Sequence, residues 1–183
     1  MCVCARHEMI RPLGVGDLQR GERCVFQSSF PDAFFSSPLS RYCNMDWIAT
    51  SATRDTGLSS IFFSYDIVCQ WSLKFMQRML TMPQVQQLSP DITVGYGVPK
   101  CHCRGHKMEC QCQFSMHVQP GVGRTDGEGI ERTWSGLNHA ASSTKEMLPG
   151  SRRDNLDRRM GFHNWDKLTG LGKCLLRYVS SIC

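Results

Sequence analysis

Apolar positions are unevenly spaced along the chain, and three segments carry a period that predicts an element. In "TGLSSIFFSYDIVCQWSLKFMQRML" an unbroken apolar run through Ile61, Phe62 and Phe63 reads as a buried strand leading to Asp66. Trp71, Phe75 and Met79 then recur every fourth residue, the spacing of one helical face, so Asp66 sits where strand hands over to helix. Further on, Glu128 opens a second helix with Ile130, Trp134 and Leu137 at apolar spacing. "LPGSRRD" is expected to stop that helix, and "LDRRMGFHNWDKLTGLGKCLLRYV" to form a last, partly amphipathic segment. Between them, three prolines and two glycines in residues 83–100 predict a loop. Residues 1–23 read as strand, loop and helix start, and no internal repeat is visible.

One stretch has no period at all. Residues 24–41, "CVFQSSFPDAFFSSPLSR", combine four phenylalanines, a run of serines and two prolines with almost no charge. In style they are foreign to what surrounds them. A length of 183 residues suffices for one domain with a core, and 41% hydrophobic against 20% charged residues is a globular balance. No segment approaches the roughly 18 apolar residues of a membrane span, and "MCVCARHEMIRP" lacks the apolar core of a secretory signal, so an intracellular chain is expected. A net charge of +5 permits an anionic partner without requiring one.

The chemistry-bearing residues fall into three groups. Asp66, Glu128 and Glu131 are carboxylates from distant parts of the chain, the kind that hold the hard cations of two-metal phosphoryl chemistry; the two glutamates, three apart, share one helical face. Solvated acids favoured by a helix dipole would give the same pattern. The second group, "CHCRGHKMECQC", packs Cys101, His102, Cys103, His106, Cys110 and Cys112 into twelve residues. Thiolates and imidazoles at such spacing suit tetrahedral zinc, whose four ligands would most simply be His102, His106 and Cys110, spaced four apart, with Cys69 from elsewhere. Buried free cysteines are the plainer alternative. The odd total of eleven cysteines and the neighbouring histidines argue for metal over a disulfide framework. Cys4 and His7 in "CARH" offer half of a second site. The third group is basic: eight Lys/Arg against four acids from Lys145 to Arg177, with the pairs Arg152, Arg153 and Arg158, Arg159 suited either to phosphate or to an ordinary solvated surface. "GVGRTDG" lacks the Gly-Lys-Ser/Thr of a P-loop and is not read as one.

In order, "CARH" with "GDLQRGER", "YCNMDW", "SYDIVCQW", "PKCHCRGHKMECQCQFS", "GVGRTDGEGIERTWSGLN", "SSTKEMLPGSRRDNLD" and "FHNWDKL" resemble the catalytic region of the Kyakuja-Dileera-Zisupton (KDZ) transposases, abundant in fungal genomes. The resemblance covers nearly the whole chain except residues 24–41 and the last dozen, and "TDGEGIERTWS" followed by "PGSRRD" is its most specific part. It implies an α/β, RNase H-like domain carrying a Cys/His zinc-binding insertion at residues 99–115. It also implies a D-D-E triad that cuts and joins DNA with Mg²⁺ or Mn²⁺, acting in the nucleus, with related transposase chains as possible oligomeric partners. Asp66 matches the second aspartate, and the glutamate is Glu128 or Glu131: a helix start suits the former, the spacing to Trp134 in related transposases the latter. The zinc ligands that match are His102, His106 and Cys110.

The family's first aspartate lies on a strand upstream of "CARH", and neither Asp17 nor Asp46 is an obvious substitute, so residues 1–183 are expected to be one truncated, inactive transposase domain. Excising residues 24–41 joins "GER" to "YCNMDW" and restores the family's pattern; eighteen codons, 54 nucleotides, fit a retained intron. The competing expectation is a non-enzymatic, zinc-binding module that associates with nucleic acid. A chain without its upstream strands that never folds is the third.

Overall fold

The computed structural model describes residues 1–16 and 42–180; the phenylalanine-rich stretch 24–41 and Asp17 lie outside the described residues. Two compact units emerge, one of Met1–Cys2 with Arg11–Gly127, the other of Val3–Ile10 with the chain from Glu128 onward.

In the first unit, helix α1 (Cys43–Thr53) turns Asp46, Ile48 and Ala49–Ala52 inward. Strand β1 (Ser60–Ser64) follows, with Ile61 and Phe63 buried as the apolar run predicted. A short helix α2 (Val68–Trp71), a 3₁₀ turn (Ser72–Lys74) and helix α3 (Phe75–Met79) then form one nearly continuous helical path. Along it Val68, Trp71, Phe75 and Met79 are all at most 3% exposed, so the four-residue apolar period marks the core. Phe63, Trp71, Phe75 and Tyr96 pack their rings on one another, with Phe63 meeting Trp71 edge-to-face at 5.4 Å.

Residues 83–100 are not the loop their composition predicted. They contain strand β2 (Thr93–Gly97), which pairs in parallel with β1 from Ser60↔Thr93 to Ser64↔Gly97. The glycines that disguise this strand are what let it form. A Cβ at Gly95 would lie 2.6 Å from the Phe62 ring, and one at Gly97 would lie 2.7 Å from the same ring's tip. Phe62 thus lies across its own partner strand, which only residues without a side chain tolerate. Helices α4 (Lys100–Cys103) and α5 (Met108–Phe114) follow, and the chain returns to β2's end through a parallel bridge of Val98 with Ser115.

The second unit holds α6 (Gly129–Leu137), α7 (Ala141–Thr144) and a 32-residue helix α8 (Pro149–Ser180). Glu128 is the residue before the first turn of α6, as expected, but the buried face is Gly129, Thr133 and Leu137, while Trp134 is 45% exposed. "PGSRRD" is not a helix stop. It forms the first turns of α8: the ring of Pro149 costs nothing where the first amides have no helical acceptor, and the helix continues through "NLDRRMGFHNWDKL". Val3 and Ile10 pair in an antiparallel bridge, and the backbone of Ile10 is gripped by one side chain of α8. Asn164 accepts from its N–H at 2.7 Å and donates to its carbonyl at 2.9 Å.

Candidate metal and carboxylate sites

Asp66 lies in the tight turn between β1 and α2. The Tyr65 N–H donates to Gly97 O across the strand pair at 3.1 Å, and Val68 N–H donates to Tyr65 O at 3.0 Å. The strand pair and the turn itself therefore fix the backbone on either side of the aspartate, whose side chain is left 49% exposed. Its neighbour is His102 on α4, with Nε2 3.7 Å from Asp66 Oδ2. This pairing gave no signal in the sequence, because the two residues lie on different elements brought together by the β2–α4 connection.

Asp46 is a different kind of carboxylate. It is 2% exposed; Oδ1 accepts from Trp71 Nε1 at 2.7 Å and from an Arg78 terminal nitrogen at 3.0 Å, and Oδ2 accepts from Arg78 Nε at 2.5 Å. The same arginine donates to Trp71 O at 2.8 Å. Burial pushes the Asp46 carboxyl above its ordinary value, against the pull of the Arg78 guanidinium and the Trp71 N–H. Both of its oxygens accept from donors of the protein, so Asp46 holds α1 to the α2–α3 path.

Of the four residues expected to bind zinc, three meet. Cys69 Sγ, a His106 ring nitrogen and Cys110 Sγ all lie within 4.8 Å of one another. Cys69 Sγ is 3.5 Å from His106 Nδ1, where a tetrahedral zinc would set a sulfur and a nitrogen ligand about 3.6 Å apart. Burial and the adjacent Cys110 thiol push the Cys69 thiol above its ordinary value, a crowding that a cation between the two sulfurs would relieve. The donor set of two thiols and one imidazole fits a soft or borderline divalent ion such as zinc. His102 stands outside this group, at Asp66. Cys101 and Cys112 are exposed and Cys103 is buried. Cys4 Sγ and His7 Nδ1 approach to 3.5 Å, and no third ligand joins them among the described residues.

The glutamates differ in setting. Glu128 is buried, 7% exposed, just ahead of α6; Glu131 is exposed in its first turn. The glycine before Glu128 is required by its backbone: Gly127 has φ +81°, and a Cβ there would meet Met116 Sδ and Ser64 Oγ at 2.7 Å. The four arginines all lie on α8. Arg153, Arg158 and Arg159 are exposed and Arg152 is half-buried; Arg152 and Arg159, seven apart, share a face, while the other two point elsewhere. Arg159 Nε donates to Asn155 Oδ1 at 2.8 Å.

A cluster that carried no assignment in the sequence surrounds Glu8. Its carboxylate, 17% exposed, takes Arg132 Nε of α6 at 2.5 Å and Lys167 Nζ of α8 at 2.6 Å, and His163 Nε2 donates to the Glu8 carbonyl at 2.9 Å. Burial would raise the Glu8 carboxyl, but the hydrogen bonds and charges of Lys167 and Arg132 prevail and hold it below its ordinary value. "FHNWDKL" thus supplies the anchor of the N-terminal segment: His163, Asn164 and Lys167 all meet residues 8–10.

No helix among the described residues is long and apolar enough to cross a membrane. No curated protein and no solved structure matches the chain. The family model described as Kyakuja-Dileera-Zisupton transposase matches residues 38–164, well over half of the sequence, and takes in β1, the Cys/His segment, α6 and the arginine pairs. The chain belongs to the Kyakuja-Dileera-Zisupton transposase family.

Proposed function

We propose that this chain is the strand-cleaving region of a DNA transposase, RNase H-like in design. Asp66 and one of Glu128 and Glu131 are its carboxylates for Mg²⁺ or Mn²⁺, and it acts on nuclear DNA. The observation that carries the reading is the contrast at Asp66, a carboxylate at a strand-to-helix turn whose backbone is fixed by the sheet while its oxygens stay half-exposed. A hard cation needs such oxygens, and they must be reachable by phosphate. On α8, Arg152, Arg153, Arg158 and Arg159 supply cations for the DNA backbone, Arg152 and Arg159 from one face.

By itself the chain does not cleave. Two-metal chemistry needs a further bridging carboxylate, and Asp46, the buried aspartate of this unit, is committed to Arg78 and Trp71. The test is nicking of supercoiled DNA with Mg²⁺ or Mn²⁺, comparing the purified chain with Asp66→Ala. The expected result is DNA binding that weakens steeply with salt, and no nicking that depends on Asp66. Nicking lost on Asp66→Ala would overturn the inactivity and establish the aspartate's role.

A second reading, a zinc-binding module that associates with nucleic acid without cutting it, is favoured by the convergence of Cys69, His106 and Cys110. In that case zinc serves folding alone, and Asp66→Ala leaves every property of the chain unchanged.

A further inference from the structure

The metal-ligand group and the exposed aspartate share two pieces of chain. Cys69 comes three residues after Asp66, within the first turn of α2, whose amides are fixed by Trp71 N–H donating to Ile67 O at 3.0 Å. His106 comes four residues after His102 on the turn that ends α4, where Gly105 N–H donates to His102 O and His106 N–H to Cys103 O, at 3.0 and 3.1 Å. Cys110 sits on α5, and Gln111 of that helix donates through its side-chain amide to His106 O at 2.7 Å. A cation joining Cys69 to His106 and Cys110 therefore joins the element carrying Asp66 to the element carrying His102.

That link matters because the Asp66–His102 approach is weak by itself. The side chains are 49% and 31% exposed and 3.7 Å apart, a separation at which a solvated ion pair contributes little. We propose that a soft divalent cation on Cys69, His106 and Cys110 is the positioning device of Asp66, setting it against His102, and that His102 is the partner of the aspartate rather than a ligand of that cation. The inference rests on the metal and carboxylate roles proposed above. It changes what the cluster is for: the metal fixes the position of an oxygen donor in addition to stabilising the fold.

The experiment uses the full chain with Co²⁺ as a visible probe of thiolate ligation and Zn²⁺ for histidine-selective NMR, the His102 signal being the one absent from His102→Asn. Cys110→Ser is expected to weaken Co²⁺ binding by at least about tenfold, whereas His102→Asn holds it within about twofold. In the wild-type chain, adding Zn²⁺ to metal-free protein shifts the His102 signal, and Asp66→Asn removes that shift while leaving Co²⁺ affinity unchanged. Loss of Co²⁺ binding in His102→Asn comparable to that in Cys110→Ser would make His102 a ligand and overturn the inference. So would a His102 signal that is the same with and without Zn²⁺ in a chain that binds Co²⁺; the metal site would then stand and the coupling fall. A wild-type chain that never develops thiolate–Co²⁺ absorption would overturn both.

Discussion

Asp46 and Asp66 are twenty residues apart in one folded unit and have opposite fates. Asp46 enters the core from the first turn of α1 and meets a guanidinium and an indole N–H, so both of its oxygens are engaged by donors of the protein. Asp66 is held by its neighbours' backbone, and its carboxylate, with the His102 ring 3.7 Å away, stays 49% exposed to solvent. Residue type does not separate a buried, paired acid from a solvent-facing one. What separates them is whether donors of the protein surround the side chain on every side or mainly fix the main chain beside it.

The largest expected effect breaks the first half of that comparison. Asp46→Ala leaves the 4% exposed Arg78 without its counter-charge and should cost about 3–5 kcal/mol, visible as a lower denaturation midpoint. Asp66→Ala should stay within about 0.5 kcal/mol of wild type in the same titration. Equal losses would mean that Asp66 is architectural too. Next, stripping metal should lower the melting temperature, since saturation at about 100 times Kd contributes about 2.7 kcal/mol to the folded state. Cys110→Ser should melt like the stripped wild type whether or not metal is added.

Glu8 is the intermediate case, an ion-paired carboxylate with partly exposed partners. Glu8→Gln should cost about 1 kcal/mol near neutral pH, solvent screening at Arg132 and Lys167 keeping it small. Because the folded chain holds this carboxyl below its ordinary value, the contribution is fully present above the unfolded-chain value. It fades as pH falls through the lowered one, so wild type and Glu8→Gln should converge in acid melts. The smallest effect tests the basic side of the proposal. Arg159→Ala should leave stability within about 0.5 kcal/mol and reduce the salt slope of duplex binding by about 0.9 if Arg159 meets a phosphate.

What could be read from the sequence was what depends on near neighbours. Ile61 and Phe63 in an apolar run, and Trp71, Phe75 and Met79 at one spacing, report a strand and a core-facing helical path because the period is itself the cause of burial. Cys69, His106 and Cys110 were readable as metal-type ligands from chemistry and spacing, and the structure brings the three together. Features decided by distant partners escaped. Strand β2 is hidden by glycines that exist for the sake of Phe62, thirty residues away. Pro149 reads as a stop in the sequence, although its ring suits a helix beginning as well as it forbids an interior. Glu8 gives no signal in the sequence because its partners, Arg132 and Lys167, come more than a hundred residues later.

The parallel pairing of β1 with β2 has a kinetic consequence. Ser60 pairs with Thr93 across the whole α2–α3 path, so closing that loop costs entropy that the ladder bonds must compensate. The turn at Asp66 depends on this pairing, since the Tyr65 amide is satisfied by Gly97 O on the returning strand. The aspartate's placement is therefore expected to require the non-local pairing of the two strands. Amide exchange at Tyr65 should report cooperative unfolding of the unit instead of local fraying, with protection as high as that of the buried Val68.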